Sequence, residues 1–113
     1  MFSDRRIYPR KELEIDVDVM LLGDDVRLTT SSRNLSLSGI QISADKALVD
    51  HLLQQEQRPV HFDLCFDGHP DLSFHCRLVV NRRISHNDFL LGIKFMNNSL
   101  EHTKLIQQLL STD

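Results

Sequence analysis

Between residues 13 and 21 the chain alternates without a break. Leu13, Ile15, Val17, Val19 and Leu21 hold one parity, and Glu14, Asp16 and Asp18 hold the other. A period of two belongs to a β-strand with one face in a core and its opposite face in water. The pattern recurs along the chain. Val26 and Leu28 open a second strand after the turn signal Gly23-Asp24-Asp25. Val60, Phe62, Leu64 and Phe66 follow Pro59 and stop at Asp67-Gly68, and residues 72–83 and 88–96 read as two more strands. Helical spacing occurs twice. Ala47, Leu48, Leu52 and Leu53 follow the candidate caps Ser43 and Asp45 in a short helix near 45–57. Leu105, Ile106, Leu109 and Leu110 follow Asn97-Asn98-Ser99. Several short strands with tight turns predict a mainly β fold: a small antiparallel barrel, with the last helix covering an opening or an edge.

One irregularity stands inside this pattern. Leu35 and Leu37 are on odd positions, whereas Ile40 and Ile42 are on even ones. A one-residue insertion flips parity in this way, so the sequence predicts a β-bulge at Ser38-Gly39, with Gly39 in a backbone conformation that most residues avoid.

With 113 residues the chain has length for one core, read as an arm (1–12), a barrel (13–97) and a helix (99–111). Its 41% hydrophobic and 26% charged residues are ordinary for a globular domain. A net charge of -3 argues against a general nucleic-acid binder. No apolar run reaches the roughly 18 residues of a membrane span. Met1-Phe2-Ser3-Asp4-Arg5-Arg6 is not followed by the apolar stretch of a signal peptide, so a cytoplasmic location is expected. Cys65 and Cys76 lack metal-site or redox spacing and read as two free thiols in a reducing compartment. Cys65 shares parity with His61 and Asp63, and Cys76 with Phe74 and Leu78, which predicts one thiol facing out and one facing in.

Two segments carry chemistry. Arg5-Arg6-Ile7-Tyr8-Pro9-Arg10 brings three guanidinium groups to a stretch with little apolar surface, and Pro9 pushes Tyr8 toward an extended shape. An extended arm is expected. Each arginine fork can hold a phosphate, grip a guanine edge or stack on a base. Asn34 and Ser36 are two apart, so on a strand they point the same way, about 7 Å from one another. Asparagine matches a donor–acceptor edge such as that of a purine, serine adds one hydrogen bond, and Gly39 allows a close approach. Taken alone, the first piece also reads as a solvated basic terminus, and the second as an ordinary polar strand face.

Together, Arg6-x-x-x-Arg10 and Asn34-x-Ser36-x-x-Gly39 resemble the paired signature of PilZ domains, bacterial receptors for cyclic di-GMP. The resemblance extends through Leu91-Gly92-Ile93-Lys94-Phe95 to the final helix. It implies a PilZ-type barrel whose arm folds over the ligand, with Arg6 and Arg10 on phosphates and guanine edges. Asn34 and Ser36 would read a guanine, and Gly39 would permit close contact. Asn34 stands where aspartate is commoner in that family. Arg5, just before the motif, implies a stacked ligand dimer, two molecules per protomer. The implied function is a receptor, not an enzyme, without cofactor or metal, that signals to an unidentified downstream protein by arm closure.

Two other functions compete with this reading. One is a PilZ-like interaction module of pilus or motility machinery that has lost the ligand, whose hallmark would be missing arginines. The other is a small barrel for single-stranded nucleic acid, which needs a basic groove with aromatic platforms; this chain has one Tyr, no Trp and a negative charge. The six histidines are scattered and read as surface or half-buried structural residues, and Glu14, Asp16 and Asp18 read as a solvated strand face. Arg82 and Arg83 fit an extension of the ligand site, a partner contact or plain edge charge equally well. No nucleophile elbow or glycine-rich phosphate loop is present.

Overall fold

The alternating segments become strands because each offers one continuous apolar face, and a ring of them buries every such face at once. The computed structural model describes residues 10–21 and 26–111. In order the elements are β1 (Lys11–Glu12), β2 (Asp16–Met20), β3 (Arg27–Leu35), β4 (Gly39–Ala44), α1 (Lys46–Leu53), β5 (His61–Phe66), β6 (Phe74–Ser85), β7 (Asp88–Met96) and α2 (Leu100–Leu110). Six strands follow one another as β3-β2-β5-β6-β7-β4, and β4 returns to β3, so the sheet closes. All its pairings are antiparallel. The expected small antiparallel barrel is the observed one. The Gly23-Asp24-Asp25 turn lies outside the described residues.

Val17, Val19, Leu35, Ile40, Ile42, Phe62, Leu64, Phe66, Phe74, Leu91, Ile93 and Phe95 are buried in the core. Phe74 lies at the centre of an aromatic group, with ring centroids 5.3 Å from Phe66, 4.9 Å from Phe95 and 4.5 Å from His102. The helix α1 begins where Asp45 Oδ1 accepts from Leu48 N at 2.9 Å, and it buries Leu48, Val49 and Leu52. Ser99 caps α2, and His102 completes the box: its Nδ1 accepts from Ser99 N at 3.0 Å, which leaves the Nε2 hydrogen for Ser73 O at 2.8 Å. At the other end of this helix, Lys11 Nζ donates to Leu110 O at 2.9 Å. The final helix is therefore fixed to the barrel at both ends and through Leu105 and Ile106 between them.

Four sequence expectations need correction. The strand expected over 13–21 is shorter: only β2, Asp16–Met20, forms there, and residues 13–15 separate it from β1 because Ser32 interrupts the ladder. Its hydroxyl is fully buried, accepts from Ile15 N at 2.9 Å and donates to Leu13 O. Lys11 and Glu12, counted with the arm, form β1 on β3. The parity flip at Ser38-Gly39 is not a bulge. It is the turn of the β3–β4 hairpin, with Leu35 opposite Ile40, and Gly39 is not among the described residues of positive φ. The register shift of this pair falls between Ser32 and Asn34 instead. Finally, both cysteines are buried. Cys65 does leave the inner face of β5, but the segment after that strand covers it, and its Sγ donates to Pro70 O at 3.7 Å.

Candidate functional site

Strand β3 and its turn position the second motif. Asn34 is half-buried, and its Nδ2 donates to Oε1 of Gln41 on the neighbouring strand β4. Spacing along the sequence did not single out Gln41; its outward parity between the buried Ile40 and Ile42 was the signal available. Beside it, Arg33 Nη1 reaches Ser43 Oγ at 3.4 Å. Asn34, Gln41, Arg33, Ser32, Glu12, Leu13, Glu14 and Leu90 line an open concavity of about 450 Å³. That volume lies within the range of small-molecule sites, roughly 300–1,000 Å³. The lining carries both donors and acceptors.

Ser36 and Gly39 are used differently from what two-residue spacing on a strand implies. Ser36 is one residue past the end of β3 and is buried, at 5% exposure. Its Oγ accepts from Ser38 N at 3.3 Å and Gly39 N at 3.2 Å, while Ser36 N donates to Gly39 O at 2.9 Å. Gly39 is glycine for reasons of space: a Cβ there would stand 2.3 Å from Ile93 O on β7. Phe95 N also donates to Ser38 O at 3.0 Å, so the motif's turn is held against β7.

Of the arginine segment, Arg10 is described and exposed, whereas Arg5 and Arg6 lie outside the described residues. Arg10 directly precedes the pairs Lys11 with Leu35 and Glu12 with Asn34. Arg10 is therefore the chain neighbour of a residue paired with Leu35, which itself precedes Ser36. The structure thus brings Arg10, Asn34 and the Ser36–Gly39 turn to one corner of the barrel.

A second polar group was not visible in the sequence. His61 and His75 are cross-strand neighbours with stacked rings 5.1 Å apart; His61 Nδ1 lies 3.1 Å from His75 Nε2, and His75 Nδ1 lies 3.2 Å from Asp63 Oδ1. Residues far apart in sequence meet here through the β5–β6 register. Among the described residues no cluster of histidine, cysteine and carboxylate is arranged to hold a metal ion. Burial pushes the Cys65 thiol up, and pushes that of Cys76 far above the ordinary range. No helix among the described residues is long and apolar enough to cross a membrane.

The fold has close counterparts among solved structures. The inhibitor of motility MotI/DgrA of Bacillus subtilis superposes with a TM-score of 0.69 at 14% identity, over 95% of this chain and 50% of that one. The PilZ domain of Escherichia coli YcgR, solved with c-di-GMP, gives 0.67 at 19% identity, over 96% and 91%. The MrkH–c-di-GMP complex of K. pneumonia gives 0.69 at 12%, over 96% and 52%. The chain therefore spans about half the length of MotI/DgrA and MrkH. At these identities the likeness is one of fold. No curated protein matches the sequence. The family model of the PilZ domain matches residues 4–112, from the arginine segment through the hairpin motif to the final helix, and the chain belongs to the PilZ domain family.

Proposed function

We propose that this chain is a cyclic di-GMP receptor that acts by presenting an altered surface to a downstream protein. Arg6 and Arg10 engage phosphates and guanine edges, and Arg5 engages a second ligand molecule. Asn34 reads a guanine edge beside Gln41, while Ser36 and Gly39 shape the turn against which the ligand rests. The observation that carries the reading is the register of β1: Arg10 directly precedes Lys11, whose partner Leu35 follows Asn34 on β3. A concavity with mixed donors and acceptors adjoins the same corner. Support also comes from PilZ structures solved with c-di-GMP, those of YcgR and MrkH. The chemistry assigned to these residues is binding, with the response carried by a ligand-dependent population of arm positions.

Calorimetric titration with cyclic di-GMP tests this directly. Saturable binding is expected. Arg10→Ala removes charge-assisted hydrogen bonds of about 1.5–3 kcal/mol, and so weakens affinity about ten- to a hundredfold. As Arg10 is exposed, the unfolding midpoint of that variant should stay unchanged. Absence of any heat with the unmodified protein would overturn the receptor reading and favour the ligand-free interaction module.

A further inference from the structure

Strand β6 is longer than its neighbour on one side. β5 pairs with it only as far as the His61–Arg77 pair, and Leu78 N then donates to Val60 O at 2.9 Å. Beyond that point, among the described residues, β6 pairs with β7 alone. Every residue from 79 to 87 is exposed, with Val79 at 54%, Val80 at 51% and Ile84 at 53%. A closed barrel normally leaves no strand edge; here the ring closes below and the β6–β7 hairpin leaves a length of β6 edge open. Alternate backbone N–H and C=O groups along such an edge point away from the sheet, ready to pair with another strand.

Two further features shape this edge. Register shifts fall between Leu78 and Val80 and between Arg83 and Ser85, so Val79 and Ile84 are each an extra residue bulged out of the ladder. Bulges bend and twist a strand and interrupt long pairing. They bracket one regular window, Val80–Arg83, paired with Gly92, Leu91, Leu90 and Phe89. The second feature is charge. Between residues 77 and 94 stand Arg77, Arg82, Arg83 and Lys94 against a single acid, Asp88, a local charge of +3 in a chain whose formal charge is -3.

We propose that this window is a docking edge for a short, extended, acidic segment of another protein, added as a further strand along Val80–Arg83. Main-chain hydrogen bonds supply the attachment, as in strand addition generally. Arg82 and Arg83 select acidic side chains, and Val79, Val80 and Ile84 offer apolar contact at the two ends. A second copy of this chain fits poorly. Antiparallel pairing of two such windows would crowd four arginines into four residue steps, and like charges across a strand pair are destabilising. The proposal is independent of the ligand reading, since it uses none of those residues.

The test uses the intact protein with three synthetic eight-residue peptides: alternating glutamate and valine, alternating lysine and valine, and the acidic sequence with backbone N-methylation on alternate residues. Amide exchange and NMR shifts across residues 79–85 report where each binds. The acidic peptide should bind at least tenfold more tightly than the basic one and slow exchange within 80–83; the N-methylated peptide should do neither. The double variant Arg82→Glu/Arg83→Glu should reverse the charge preference, with its fold checked by the unchanged shifts of β2 and β5. Equal affinity for both charges, equal binding of the N-methylated peptide, or protection elsewhere on the barrel would overturn the proposal. So would a protein that sediments as a dimer in the absence of peptide with 80–83 already protected. These readouts do not involve cyclic di-GMP, so this proposal and the receptor reading can fail separately.

Discussion

Ser36 commits its hydroxyl to two amides of its own turn, and Gly39 lets β4 lie against the carbonyl of Ile93. Ser36→Ala should therefore lower stability by about 0.5–1.5 kcal/mol, the net worth of an ordinary hydrogen bond. Gly39→Ala should cost roughly 1–3 kcal/mol, by overpacking against β7 backbone. Urea unfolding midpoints measure both, and a stable Ser36→Ala protein that no longer binds cyclic di-GMP would instead assign that hydroxyl to the ligand. Both residues were legible as a motif, but their structural use was not. A bulge and a hairpin turn flip parity alike, and only the partner strand distinguishes them. The same limit hid Gln41, which meets Asn34 only through the β3–β4 register, and the His61–His75–Asp63 group. For the cysteines, parity gave the direction of Cys65 but not the loop that covers it. Because burial raises both thiols, they ionise more readily in the unfolded chain, which then binds fewer protons than the native one. Their contribution to stability is full below the ordinary thiol value near 9 and declines as pH rises beyond it. Iodoacetamide labelling should be slow for native protein and slower at Cys76 than at Cys65; rapid labelling of Cys76 without unfolding would contradict the packing.

At the scale of elements, alternation read β5 and β7 closely because their inward residues form apolar rows and Gly68, at φ +84°, ends β5 with a clear turn. In β6, by contrast, it holds through Phe74, Cys76 and Leu78 and ends at the register shift beyond Leu78. Capping read both helices, since Asp45 and Ser99 sit one residue before each and bond as caps do. The segment over 13–21 was misread for a local reason: alternation continues through Leu13 and Ile15, but a serine side chain from β3 replaces the backbone partner there. Lys11 directly follows Arg10 in the sequence, but its side chain reaches the C-terminal turn of α2. A cation at a helix C-terminus contributes about 0.3–1 kcal/mol. Lys11→Met should thus speed amide exchange over residues 107–111 and leave exchange in β5 unchanged. No change in the last turn of α2 would show the contact to be dispensable. The same contact ties β1, next to Arg10, to the final helix.

For the whole molecule, strand alternation and turns predicted a small antiparallel barrel and the family resemblance its PilZ type, and the closed six-strand ring agrees with both. Composition alone gave only one domain of mixed polarity. The arginine segment carries the remaining prediction. Two cyclic di-GMP molecules per protomer are expected, with Arg5→Leu reducing the ratio toward one without abolishing binding, because a third guanidinium supplies donors for a second set of phosphate and guanine edges. A calorimetric ratio near one for the unmodified protein would remove Arg5 from the site. The closure of the ring also sets how the chain must assemble in time. β3–β4, β5–β6 and β6–β7 are near neighbours in sequence, but β2 meets β5 and β4 meets β7 through pairs such as Val17 with Phe66 and Gly39 with Lys94, roughly fifty residues apart. Hairpins form within microseconds, while contacts this distant carry a loop-closure cost that grows with the logarithm of their separation. The two seams are therefore the late events of folding, and barrels of such contacts fold on the millisecond-to-second scale. Until both seams close, each hairpin already formed exposes its outer strands as unpaired edges.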